Sequence, residues 1–269
     1  MTLETFLSRH VNHRRFVFAA WLTLAVAVAL AGCAGHNPYP VGSYERGVYY
    51  AEKGNNIEAV SALDSYVRYN PTDSLASEAQ FLKALTYMDM GEYPLAAVEF
   101  QILRKDYPTS PRVEDALFHE GECYLERVGR IERDITGAKE ARTHFLRFTQ
   151  QYPDSEHIPQ VREYLQEISD IMVLKRLEQV KVYRQLGRHR AVGMVLDDIL
   201  QDEQTSSLIP EVMWERARTA RKLEDPDTEA AMYERLITTF PEDEYTEEAR
   251  KRLAELDQDE AAWDDLDED

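Results

Sequence analysis

Apolar residues along the chain recur at helical spacing, and between residues 47 and 153 one figure is repeated three times. A small residue is followed by Tyr three positions on, Ala nine further, a bulky apolar residue four further and Pro eight further. The first occurrence is Gly47, Tyr50, Ala59, Leu63, Pro71, and the second is Ala84, Tyr87, Ala96, Phe100, Pro108. The third is Gly121, Tyr124, Ala141, Phe145, Pro153, with eight extra residues between its Tyr and its Ala. Steps of three and four place such positions on one stripe of a helix, and Pro closes the helix that precedes it. Each figure therefore predicts two antiparallel helices, A and B, brought close by small residues, with Tyr and Phe filling the gaps between pairs. The turns fall at Tyr69-Asn70-Pro71, Tyr107-Pro108 and Tyr152-Pro153, and Ser110 before Pro111 predicts an N-cap with proline at the first helical position.

A period of this length with these positions is the tetratricopeptide (TPR) pattern, so the predicted fold class is all-α, a TPR solenoid. Beyond Pro153 the figure thins. Val180, Tyr183, Val192 and Leu196 keep register, but Gln204 stands where Pro is due. The last unit, ending at Phe240-Pro241, offers Ala217, Ala220 and Tyr233, with a helix break at Asp225-Pro226. Pro153 to Pro241 spans two periods, which makes five helix pairs in all. Residues 43–158 read as repeats 1–3, and residues 159–256 as a longer connecting helix followed by repeats 4–5. Residues 257–269 hold eight acids in thirteen positions and are expected to form a solvated, unstructured tail.

The N-terminus follows another rule. Residues 1–15 are polar and end in Arg14-Arg15, and residues 16–31 contain one polar residue, Thr23. A basic segment, an apolar stretch and small residues describe a secretory signal peptide, here residues 1–32. Sixteen residues at about 1.5 Å each reach about 24 Å, short of the roughly 30 Å hydrocarbon core, which argues against a spanning anchor. Leu30-Ala31-Gly32-Cys33 is the lipobox pattern: the Cys33 thiol takes a diacylglycerol and the new N-terminus is acylated, as with palmitate. Residues 33–42 are then anchor and linker, and two or three acyl chains at about 0.8 kcal/mol per methylene hold stably. Ala34, where Asp would retain the protein in the inner membrane, favours the outer membrane. With Cys33 consumed, Cys123 is the remaining thiol and no disulfide forms.

Charge narrows the partners. The chain carries −19, and because residues 1–32 hold three Arg and one Glu, the remainder carries −21. Such a surface repels phosphate backbones and anionic headgroups, so nucleic acid is not an expected partner and membrane attachment falls to the lipid. The sequence contains no H-E-x-x-H, G-x-S-x-G, P-loop or Gly-rich dinucleotide turn. His119 and Cys123 lie four apart beside Glu122, a metal-ligand spacing, but no second pair of ligands accompanies them and a Cys next to Tyr124 reads as a small core residue. Arg133 and Asp134 read as a pair pinning an inserted loop. No enzyme activity, cofactor or metal is expected.

Function then resides on surfaces. In this register the A helices of repeats 1–3 present Tyr44, Val48 and Glu52, then Phe81, Leu85, Met88 and Asp89, then Phe118, Glu122 and Leu125. Half of these are expected to pack between neighbouring helices. The others would form an apolar groove with acidic flanks, suited to an extended peptide carrying aromatic side chains.

The lipobox, the five repeats, the run Glu132-Arg133-Asp134-Ile135-Thr136 ahead of Ala141, and Tyr152-Pro153-Asp154-Ser155 together resemble the BamD (YfiO) family over roughly residues 43–256. Arg133, Asp134 and Thr136 lie in its most specific stretch, an insertion that generic repeats lack. The resemblance implies an outer-membrane lipoprotein of the β-barrel assembly machine, on the periplasmic face. It implies docking by the last repeats on a periplasmic domain of the barrel-forming subunit BamA, other assembly-machine lipoproteins nearby, and binding of nascent outer-membrane proteins by the first repeats. Two other classes share anchor and repeats: lipoproteins for pilus or secretin assembly, which should lack the insertion, and periplasmic adaptors for cell-wall enzymes, which often carry a coiled-coil arm.

Overall fold

The small positions of the figure meet its bulky positions directly. A Cβ on Gly47 would stand 2.5 Å from Leu63 Cδ2, and one on Gly121 would stand 2.6 Å from Phe145 Cε1. These contacts join the helices of the first and third pairs in a computed structural model that describes residues 37–127 and 135–267. Eleven helices and no strands occur among the described residues. The first three pairs are α1 (Tyr44–Glu52) with α2 (Asn56–Tyr69), α3 (Ala76–Asp89) with α4 (Tyr93–Asp106), and α5 (Val113–Glu126) with α6 (Thr136–Gln151). The fourth is α7 (Ile158–Gln185) with α8 (His189–Asp202), the fifth α9 (Ile209–Lys222) with α10 (Pro226–Thr239), and α11 (Thr246–Asp267) closes the array. Each helix packs chiefly on its neighbours in the chain, the nearest-neighbour architecture of a solenoid.

Both kinds of turn are built by rule. Within pairs, Gly54, Gly91 and Gly187 follow α1, α3 and α7 with φ near +70°. The next amide donates back to the carbonyl of Tyr50, Tyr87 or Tyr183, the C-terminal cap for which glycine is suited. In the fifth pair Glu224 takes this place at φ +56°, with Asp225 N–H donating to Ala220. Between pairs, an Asp or Ser side chain accepts from the amide two residues on. Asp73, Ser110, Ser155, Ser206 and Asp243 bond Leu75, Arg112, His157, Leu208 and Tyr245 at 2.8–3.1 Å. Ser110 thus holds the turn and is not the helix cap; α5 begins at Val113 with Arg112 as its N-cap. The fourth junction does without Pro because Ser206 is kept and Asp170 of α7 accepts from the hydroxyls of Ser206 and Ser207 and from the Ser207 amide.

Helix α7 runs 28 residues and serves two repeats. Val161 and Ile168 pack with Phe145 and Phe148 of the third pair, while Val173 and Val180 pack with Leu196 and Met213. At its middle, Arg142 of α6 donates both ends of its guanidinium to Glu203 at 3.0 and 2.6 Å, and Ser169 adds a hydroxyl at 2.9 Å. Glu203 is only 2% exposed, so this joint between repeats 3 and 4 rests on a buried, fully bonded carboxylate.

The acidic C-terminus departs from expectation. Its backbone continues α11 to Asp267 where an unstructured tail was expected. No Gly or Pro follows Pro241, Ala, Leu and Glu are strong helix formers, and Ala249, Leu253 and Leu256 anchor the helix on the α8–α10 core.

Candidate functional site

Aromatic residues ten positions after three of the five junctions, Phe81, Phe118 and Trp214, bear on what the A helices expose. Phe81 in α3 lies under the Arg112 guanidinium at 5.1 Å. Phe118 in α5 is stacked by the His157 ring at 4.1 Å and 11°, and Trp214 in α9 by Tyr245 at 5.8 Å and 25°. Arg112, His157 and Tyr245 occupy one position of the following unit, so each unit covers the aromatic of the one before it. Side-chain bonds to the preceding repeat follow the same pattern: Arg112 bonds Glu78 at 2.7 and 2.9 Å, and His157 Nε2 lies 3.1 Å from Asp115. Burial opposes ionisation of Asp115, yet hydrogen bonds from His157 and Arg112 hold its carboxyl below the ordinary value.

The expected groove residues separate accordingly. Phe81 and Phe118 are 6% and 3% exposed and are packing groups, because their faces are occupied by the next repeat. Tyr44 is half-buried against Tyr66, with ring centroids 5.9 Å apart, and Val48 is half-buried on α1. Leu85 flanks the core around Phe100. Met88, Glu122 and Leu125 come together in a cleft of about 250 Å³ on the A-helix side, completed by Asp89, Glu126, Tyr93 and Tyr164. Tyr164, from α7, was missed in the sequence because the Tyr of the repeat figure in that helix falls at Tyr183.

Within this cleft Glu122 is pinned. Tyr164 OH donates to its Oε1 at 2.6 Å, and its Oε2 lies 2.6 Å from His119 Nδ1. Burial and the Glu122 charge push the Tyr164 phenol up, so it remains a donor. Asp89 and Glu126 are exposed and have no ion-pair or hydrogen-bond partner among the described residues. Cys123 is buried, and burial followed by the Glu122 and Glu120 charges pushes its thiol up to about 12. It is an inert core thiol. No group of three or more His, Cys, Asp or Glu among the described residues has metal-binding geometry.

A second surface lies at the α7–α8 corner of repeat 4. Val182, Leu186 and Met194 are 52%, 66% and 69% exposed, with the exposed cations Lys181, Arg188 and Arg190 close in sequence and the exposed acids Glu178, Asp197 and Asp198 one turn away on the same helices. Sequence reading passed over it, since on a helix pair these positions look like an ordinary solvated face. Thr136 opens α6. Cys33, Arg133 and Asp134 lie outside the described residues.

Helix pairs with these caps, junctions and cross-repeat stacks define a TPR solenoid. The chain belongs to the YfiO family of outer membrane lipoproteins, whose sequence model matches residues 37–211. It is 23% identical over 198 residues to the outer membrane protein assembly factor BamD of Caulobacter vibrioides, a match covering 70% of this chain and 65% of that protein. It is 21% identical over 241 residues to the BamD of Neisseria gonorrhoeae, covering 82% of this chain and 90% of that one. Among solved structures it is similar to a thermophilic TPR protein of Thermus thermophilus, at 19% identity, 79% and 96% coverage and a TM-score of 0.33. A tetratricopeptide repeat protein of Parabacteroides merdae matches at 16% identity, 81% and 73% coverage and a TM-score of 0.36. No described helix is long and apolar enough to cross a membrane.

Proposed function

We propose that the chain is a non-enzymatic scaffold of outer-membrane β-barrel assembly, anchored through lipid on Cys33 at the periplasmic face of the outer membrane. Repeats 4 and 5 dock on the periplasmic domain of BamA beside other assembly lipoproteins, and the A-helix side of repeats 1–3 engages unfolded outer-membrane proteins. The observation that carries this reading is the family match across residues 37–211, joined by relatives named as assembly factors. Two surfaces of unlike character on one array support a division of labour: an acidic cleft early in the chain and an exposed apolar corner in repeat 4.

Co-purification from detergent-solubilised membranes tests it. The tagged chain should bring down the barrel-forming subunit, and a variant with Leu186→Glu and Met194→Glu should lose it while staying folded. Absence of that subunit from the wild-type complex would overturn the reading. Cys33→Ala should release the folded chain from the membrane fraction, and an unmodified Cys33 by mass spectrometry would remove the anchor.

A further inference from the structure

We propose that the cleft between repeats 2, 3 and 4 selects a positively charged side chain, arginine above all, carried within an extended apolar segment of the bound polypeptide. The inference rests on the peptide-engaging role proposed above and names what that surface recognises. Three features support it. At about 250 Å³ the cleft is smaller than the 300–1,000 Å³ of small-molecule sites and suits one or two side chains. Met88 and Leu125 give it apolar lining, so an aliphatic stem or a neighbouring apolar residue is covered there.

Its rim is negative without internal compensation. Asp89 and Glu126 stand on separate helices, α3 and α5, with no cation among the lining residues and no partner of their own among the described residues. The third carboxylate, Glu122, is already held by Tyr164 and His119, so it adds fixed negative potential to the cleft. Tyr93 and Tyr164 line the same cleft. A planar guanidinium can bond a carboxylate bidentately and lie against a tyrosine face at once, which an ammonium does less well. A carboxylate or phosphate in the same place meets repulsion from three sides.

The test uses the full-length chain in detergent and two fluorescent peptides of one alternating apolar and polar sequence. One carries Arg at its centre, the other citrulline, which has the same shape without the charge. The wild type should bind the Arg peptide about tenfold more tightly at low salt, a difference of about 1.4 kcal/mol, and the preference should shrink at about 1 M salt. Asp89→Asn with Glu126→Gln should abolish the preference and leave citrulline binding unchanged; both positions are exposed and unpaired, so the fold is spared. Equal wild-type affinity for both peptides overturns the inference and leaves the peptide-engaging role standing. A preference that survives the double substitution also overturns it, and failure to bind either peptide overturns both readings.

Discussion

Replacing Gly121 by Ala should destabilise the third repeat even though alanine is the better helix former. Intrinsic propensity favours Ala over Gly by about 0.8–1.0 kcal/mol in a helix interior. Against this, the new methyl would stand 2.6 Å from Phe145 Cε1 and 3.0 Å from Cδ1 and Cζ. Phe145 is fully buried and its ring is stacked on Tyr164 at 5.1 Å, so it has little room to yield. Overpacking of this kind costs about 1–3 kcal/mol, which leaves a net loss of about 1 kcal/mol. Gly193→Ala in α8 is the control: its nearest neighbour is Arg216 Cζ at 3.7 Å, an ordinary contact, so propensity acts alone and the variant gains about 0.8 kcal/mol. Urea denaturation followed by far-ultraviolet circular dichroism reads the two midpoints with comparable slopes. Amide exchange in α5 and α6 should locate the loss within repeat 3, since solenoid repeats couple mainly to their neighbours. Equal midpoints for the two alanine variants would refute the packing argument.

Phe118→Ala should cost about 3–5 kcal/mol in chemical denaturation, because the ring is buried under His157 and between Phe145 and Phe148; native-like stability would return it to a free groove surface. Glu224→Gly should stabilise by about 0.5–1 kcal/mol in thermal melts, as relief of a left-handed non-glycine backbone at φ +56° exceeds the entropy that glycine loses, and a lower melting temperature would contradict it. For Asp115, the folded pKa lies below the unfolded value of about 3.9, so its contribution is present above that value and is lost as pH falls through the folded pKa. Melting temperatures from pH 6 to pH 2.5 should therefore drop more steeply at the acid end in the wild type than in Asp115→Asn, and parallel curves would exclude the linkage.

Much of this was legible in the sequence, for identifiable reasons. Gly47 with Leu63 and Gly121 with Phe145 are contacts within one repeat, so fixed spacing carries them. The fourth junction looked degenerate because Pro is the visible mark of such a turn, whereas the bond made in all five is the Ser or Asp side chain two residues later. The fifth repeat was obscured by an exchange of sizes. Its buried Ala position is Glu229, bonded by Arg221 at 2.7 Å, and Arg221 also donates to Tyr233 OH at 2.9 Å. A charged residue in a small-residue slot breaks any pattern read by hydrophobicity. Phe81 and Phe118 were misplaced for a third reason. The groups covering them, Arg112 and His157, come from the next repeat and are polar, and a guanidinium or imidazole is seldom read as packing.

The same stacking bears on how a solenoid of this composition keeps binding surfaces available. The aromatics Phe81, Phe118 and Trp214 of α3, α5 and α9 would be sticky patches if left bare, open to contact with any apolar chain. Covering the rings with Arg112, His157 and Tyr245 removes that liability, and the bonds of Arg112 to Glu78 and of His157 to Asp115 add inter-repeat ties. Apolar surface then remains where neighbouring repeats do not supply a cover: in the cleft at Met88 and Leu125 and at the corner bearing Leu186 and Met194. The first is lined by carboxylates alone among charged groups, and the second has the exposed cations Lys181, Arg188 and Arg190 close in sequence. At physiological salt charges are screened beyond about 8 Å, so each apolar patch is governed by its own rim and not by the net charge of −19. Two partners of opposite charge preference can then occupy one acidic chain, with local rim charge rather than total charge deciding which goes where.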